Sequence, residues 1–149
     1  NIIYIMSRNT DILINGLTIL YLITISIIIH KKMLRKFEDY FLSFVLILAG
    51  IFMLFSKNKQ ILDLAHFLFC GIYLIGITLF SSNKYLLYLN SLMICVVIGT
   101  RYYYKCCLLN IRQGHTGTFV GLNKKLKLDW NVIFPILLIL TLGKLMKFA

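Results

Sequence analysis

Proline occurs once in the 149 residues, tryptophan once, and acidic side chains only five times. With so little proline, long stretches can run as continuous helix, because proline removes a backbone donor and clashes inside a helix. With so little acid, the sixteen Lys and Arg stand unbalanced and the net charge is +11. The four cysteines, Cys70, Cys95, Cys106 and Cys107, contain no Cys-x-x-Cys pair, the spacing that redox and zinc sites use, and Cys70 and Cys95 sit inside apolar stretches, so disulfide chemistry is not expected. There is no Gly-Lys-Ser/Thr ending that would make a glycine-rich loop a phosphate cradle, and no repeat of fixed period.

What the chain does have is hydrocarbon. Sixty per cent of its residues are apolar, against about 45–50 per cent in ordinary soluble domains. The apolar residues gather into five stretches, 11–29, 40–55, 61–80, 85–100 and 132–146, each near or slightly below the roughly 20 residues a helix needs to cross a bilayer core of about 30 Å. Within each stretch apolar residues predominate over 15 to 20 positions with no period-two alternation, whereas a membrane barrel strand alternates over about ten residues between turns. The expected fold class is therefore all-α: a polytopic transmembrane helical bundle of four to five spans with short loops, one domain over 1–149, with 101–131 as a basic interfacial segment. Ser56-Lys57-Asn58-Lys59 and Ser81-Ser82-Asn83-Lys84 mark two of the breaks, where serine and asparagine can cap free backbone groups. Tight loops there predict that the second, third and fourth helices are antiparallel neighbours. Asn1 opens the chain, Met6-Ser7 is where a start would fit, and the first stretch is too long for a cleaved signal peptide.

The positive charge sits at helix ends. Lys31, Lys32, Arg35 and Lys36 follow the first stretch, and Lys124, Lys125 and Lys127 precede the fifth. These are positions for anionic lipid headgroups or an acidic partner, so nucleic acid is not the expected partner. Five spans would put Arg8, Lys57, Lys59, Arg101, Lys105, Arg112, Lys124, Lys125 and Lys127 on one side and Lys31, Lys32, Arg35, Lys36, Lys84, Lys144 and Lys147 on the other. Nine against seven is too even to set orientation by the positive-inside rule. An alternative places the last stretch, with Pro135, Lys144 and Lys147, in the interface as a peripheral helix on a four-helix bundle.

Ionisable groups inside spans are functional hypotheses by default. Asp63, His66 and Cys70 are spaced three and four apart, so at 100° per residue they share one face of the third helix, with Tyr73 beside them. Such a face can relay protons or offer metal ligands. The reading that asks least is that Asp63 and His66, in the first turns, lie near headgroup water and bond a neighbour. No metal, cofactor or catalytic set is expected, since the remaining histidines, His30 and His115, lie at distant loop positions.

Arg101, Tyr102, Tyr103 and Tyr104 mark the headgroup depth of the fourth helix, and Trp130 that of the fifth, because aromatic rings and snorkelling cations collect there. No breaker follows until Gly114, so the fourth helix is expected to continue to about Arg112. Cys106 and Cys107, at the membrane edge, are positions where thiols can be acylated. The glycine-bearing run 113–121 reads as a mobile or tightly turned connection, and Asp129-Trp130-Asn131 as a helix cap with an interfacial ring. The scattered Asn15, Gly16, Thr18, Thr24, Ser26, Ala49, Gly50, Gly71, Gly76, Asn90, Ser91 and Gly99 should face other helices; the spans contain no Gly-x-x-x-Gly pair.

Residues 63–110 hold a His-bearing helix, then Asn83-Lys84-Tyr85-Leu86-Leu87, a further span and Tyr104-Lys105-Cys106-Cys107-Leu108-Leu109-Asn110. This third of the chain resembles small polytopic inner-membrane proteins of large double-stranded DNA viruses. The resemblance implies residence in a lipid membrane beneath a capsid, and it implies no activity and no functional residue. The expected role is thus a non-enzymatic structural or accessory integral membrane protein of a larger assembly, with lipid and capsid or membrane-complex subunits as partners. A supernumerary subunit of a mitochondrial respiratory complex and a small proton or cation transporter using Asp63 and His66 are the alternatives.

Overall fold

The computed structural model describes residues 2–113 and 118–148, and side chains within 7–112 and 121–148. Gly114, His115 and Gly117 lie outside the described residues, and Gly121, expected in a mobile or tightly turned connection, is instead in a helix (Thr118–Lys125). The described chain is helical without strands: α1 (Ile2–His30), α2 (Phe37–Phe55), α3 (Lys59–Phe80), α4 (Lys84–Tyr104), the short α5 (Leu108–Gln113) and α6 (Thr118–Lys125), and α7 (Trp130–Leu145). Five of these, with α1 counted from Ser7 and α7 to Phe148, are long and apolar enough to cross a membrane. The chain is a multi-pass membrane bundle. Each span is longer than its apolar stretch because polar residues carry the helix past the hydrocarbon. Asn58 accepts from the Gln60 N–H, Asn83 from Tyr85 and Leu86, and Asp129 from Asn131, satisfying backbone donors that a helix start leaves free.

The last helix is not peripheral. Running through Pro135, α7 packs lengthwise on α4. It is tied at one end by Arg101 to Asn131 (3.1 and 3.2 Å) and at the other by Lys144, which donates to the Leu79 and Ser81 carbonyls at 3.0 Å each. Along the bundle the outward faces carry Ile12, Leu20, Phe44, Leu92 and Ile139 exposed, as a lipid-facing surface requires.

The expectation that α4 continues to Arg112 is overturned. It stops at Tyr104 because Lys105 takes a left-handed conformation (φ 62°). The chain then folds back, and Cys107, Leu108 and Leu109 are buried. Lysines terminate two other helices in the same way: Lys32 (φ 53°) follows α1 and Lys127 (φ 52°) follows α6. In each, the left-handed residue bonds back three residues and the next N–H bonds back five (Lys32 to Ile29 and Met33 to Ile28; Lys127 to Lys124 and Leu128 to Asn123). This is the helix-ending motif in which glycine is usual.

The scattered small and polar residues divide. Asn15, Thr18, Gly50, Gly76 and Asn90 meet other helices: a Cβ on Gly50 would stand 2.8 Å from Tyr21 Oη and one on Gly76 2.7 Å from a Leu42 methyl. Ser26, Gly16 and Gly99 face outward instead. Ser26, like the half-buried Thr24, donates to the carbonyl four residues back, so these hydroxyls need no partner helix.

Candidate functional site

Asp63, His66 and Cys70 are all buried on the inward face of α3. The helix changes character there, since Phe67–Leu74 is π-helical, a local widening that is often found at functional sites. Tyr73 is fully buried on the same segment, and its hydroxyl has no hydrogen-bond partner among the described residues. Phe69 lies between the Tyr21 and Tyr73 rings, near-parallel to both at centroid separations of 6.1 and 6.4 Å.

His66 is met by a group from outside the spans as well as by one from its own helix. The fold-back after Lys105 brings Cys107 Sγ to 3.4 Å from His66 Nε2, and the Cys70 thiol is within hydrogen-bonding reach of the same ring. One imidazole thus stands against two thiols, one from its own helix and one from forty-one positions later. Burial pushes the Cys107 thiol up; the His66 imidazole beside it, the Leu109 N–H and the Arg101 charge outweigh that and bring it down to about 7. Cys106, next in sequence, lacks that imidazole. Its thiol donates weakly to the Tyr104 carbonyl (3.5 Å), and burial raises it above the ordinary thiol value.

An apolar cavity of about 550 Å³ opens beside this pair, between α1 and α4, which touch only sparsely. Cys107 lines it, along with Ile14 and Tyr21 of α1, Met93 and Val97 of α4, and Phe69 of α3. Among the described residues no group of three or more His, Cys, Asp and Glu has the arrangement to hold a metal ion.

The other sequence-derived positions are spread over the two ends of the bundle. Tyr102 and Tyr103 are exposed, and Tyr104 is half-buried and edge-on to Tyr103 at 4.8 Å. Arg101 lies over the Phe134 ring at 5.7 Å as well as bonding Asn131. Trp130 is buried against Phe134, with centroids 5.0 Å apart, so its ring packs on protein. Lys124, Lys125 and Lys127 are exposed at the end of the bundle where α7 begins. Lys31, Lys32, Arg35 and Lys36 are exposed at the opposite end, with Lys36 also donating to Ser82 (3.1 Å). Arg112 differs from these cations. It pairs with Asp11 at 3.0 Å and donates to Asn15 and to the Met53 carbonyl, riveting α5 to α1 and α2.

No family model, curated protein or solved structure matches this chain.

Proposed function

We propose that the chain is a structural or accessory integral membrane protein of a larger assembly, without catalytic turnover, and that its setting is a viral inner membrane beneath a capsid. The observation that carries this reading is how the polar side chains are used. Asn90 donates to Thr78 (3.0 Å) and Thr141 (3.3 Å), joining α3, α4 and α7. Ser81 donates to the buried Asp39 at 2.7 Å, joining α2 and α3, and Arg112 holds α5 on α1. These groups are spent on helix-to-helix contacts and leave a stable scaffold. The two exposed lysine and arginine clusters are among the polar groups left for outside partners, and anionic headgroups or acidic protein faces fit them.

Gentle solubilisation from native membranes, affinity capture and mass spectrometry test the reading. Co-purifying capsid or inner-membrane proteins, lost on joint Lys124→Gln, Lys125→Gln and Lys127→Gln replacement, are expected. Recovery of the chain alone, or with respiratory subunits, would refute the viral setting. pH-dependent ion flux through vesicles holding only this protein, abolished by Asp63→Asn, would replace scaffolding with transport.

A further inference from the structure

We propose that Cys107 is an acyl-acceptor site: with His66 as its base, its thiol takes a long-chain acyl group from an acyl thioester, and the chain then lies in the cavity between α1 and α4. This goes beyond the scaffold reading and does not depend on it, since a membrane-embedded bundle is all it requires.

Three independent features converge on this thiol. The first is the pairing itself. A thiol becomes a nucleophile as thiolate, and a neighbouring histidine is the usual means of making it one. The 3.4 Å approach of His66 Nε2 supplies that means to Cys107 and not to Cys106. The second is depth. Cys107 follows the Arg101–Tyr104 run, at the level where a long-chain thioester has its polar head in water and its tail in oil. The third is the cavity, which Cys107 lines at one end, together with Thr100 and Ile14, while Ile28, Met33 and Tyr85 line the other. From Ile14 to Ile28 is fourteen residues of helix, about 21 Å at 1.5 Å per residue. Half a bilayer core is about 15 Å, so a hydrocarbon chain as long as one leaflet fits the groove.

The chemistry balances without an oxidant or an energy source. His66 Nε2, with the ring proton on Nδ1, accepts the Cys107 proton. The thiolate attacks the thioester carbonyl carbon, a new carbon–sulfur bond forms and the donor's carbon–sulfur bond breaks. The departing thiolate recovers the proton from His66. One thioester replaces another, and the donor leaves as a free thiol. In this role Cys107 is the more reactive of the two adjacent cysteines although Cys106 is the more exposed, the reverse of what accessibility alone predicts.

The test uses the full chain in phosphatidylcholine vesicles, with palmitoyl-coenzyme A as donor and mass-spectrometric mapping of hydroxylamine-labile adducts. In the wild type the adduct is expected on Cys107, formed faster from the palmitoyl donor than from acetyl-coenzyme A. Cys106→Ser should leave it unchanged, and His66→Gln should slow it by at least about tenfold, as loss of a general base does. Adducts confined to Cys106, or absent altogether, overturn the proposal. So do equal rates from the two donors, or undiminished labelling of Cys107 in His66→Gln. Mapping and the donor comparison are made on unmutated protein, so they decide the matter even where the buried His66 is needed for folding.

Discussion

Arg112 and Asp11, 101 positions apart in the chain, form an ion pair at 3.0 Å, the single salt bridge among the described residues. The two partners are unequally placed: Arg112 is 13 % exposed and Asp11 54 %. The charge pair itself sits at a wet edge, where such pairs contribute about 0–1 kcal/mol. The guanidinium also donates to Met53 and Asn15, and those bonds depend on its presence, not on Asp11.

Asp11→Asn should therefore lower stability by no more than about 1 kcal/mol, whereas Arg112→Met should cost more, about 1–2 kcal/mol, because it removes the bonds to the partly buried Met53 carbonyl and Asn15 Oδ1 as well. Thermal unfolding in detergent would reveal the difference, and equal losses would mean that the ion pair dominates.

The joint of α3, α4 and α7 rests on Thr78 and Thr141, whose hydroxyl oxygens lie 3.0 Å apart, and on Asn90 between them. Interhelical hydrogen bonds in membranes average about 0.6 kcal/mol and reach about 1.7. Thr141→Val is expected to fall in that range. A loss above about 3 kcal/mol, measured by denaturant titration, would show that the three groups act as one cooperative unit.

Lys32 and Lys127 hold left-handed positions that cost a non-glycine residue about 1–2 kcal/mol. Lys32→Gly and Lys127→Gly should each stabilise the protein, by up to about 1 kcal/mol after the added freedom of the unfolded chain is counted. A fall in Tm would indicate that the cation's attraction to the helix C-terminus outweighs the backbone strain.

Cys107, brought down to about 7, and Cys106, raised by burial, should separate in a pH series with a small membrane-permeant alkylating reagent. A thiol reacts as thiolate, the form present above its pKa. Modification of Cys107 is thus expected to rise through about pH 7, and that of Cys106 only at more alkaline pH. Superimposable curves by peptide mapping would remove the influence of His66.

Tyr73→Phe deletes a buried hydroxyl with no partner among the described residues. Removing an unsatisfied polar group is neutral or favourable, by up to about 1–3 kcal/mol. Marked destabilisation in the same unfolding assay would mean that the hydroxyl is bonded after all.

Much of this fold could be read from residue order. The five apolar stretches, the caps at Asn58, Asn83 and Asp129, and the shared face of Asp63, His66 and Cys70 follow from neighbours a few residues apart. The end of α4 did not, because lysine carries no signal for a left-handed turn and only the burial of Cys107, Leu108 and Leu109 makes Lys105 adopt one. The partners of Arg112 were equally hidden. Its place among basic residues near a membrane edge resembled that of the lysines, and its contacts come from Asp11, Asn15 and Met53.

Residue order by itself determined that the chain is a set of apolar helices, since hydrocarbon content and helical period are local properties that lipid satisfies without reference to the rest of the chain. Only the tertiary structure decided that α7 joins the bundle, that Cys107 meets His66, and that a cavity opens between α1 and α4. Lipid is as apolar as leucine, so burial cannot choose which helices touch. That choice rests on directional hydrogen bonds and close packing between residues far apart in sequence.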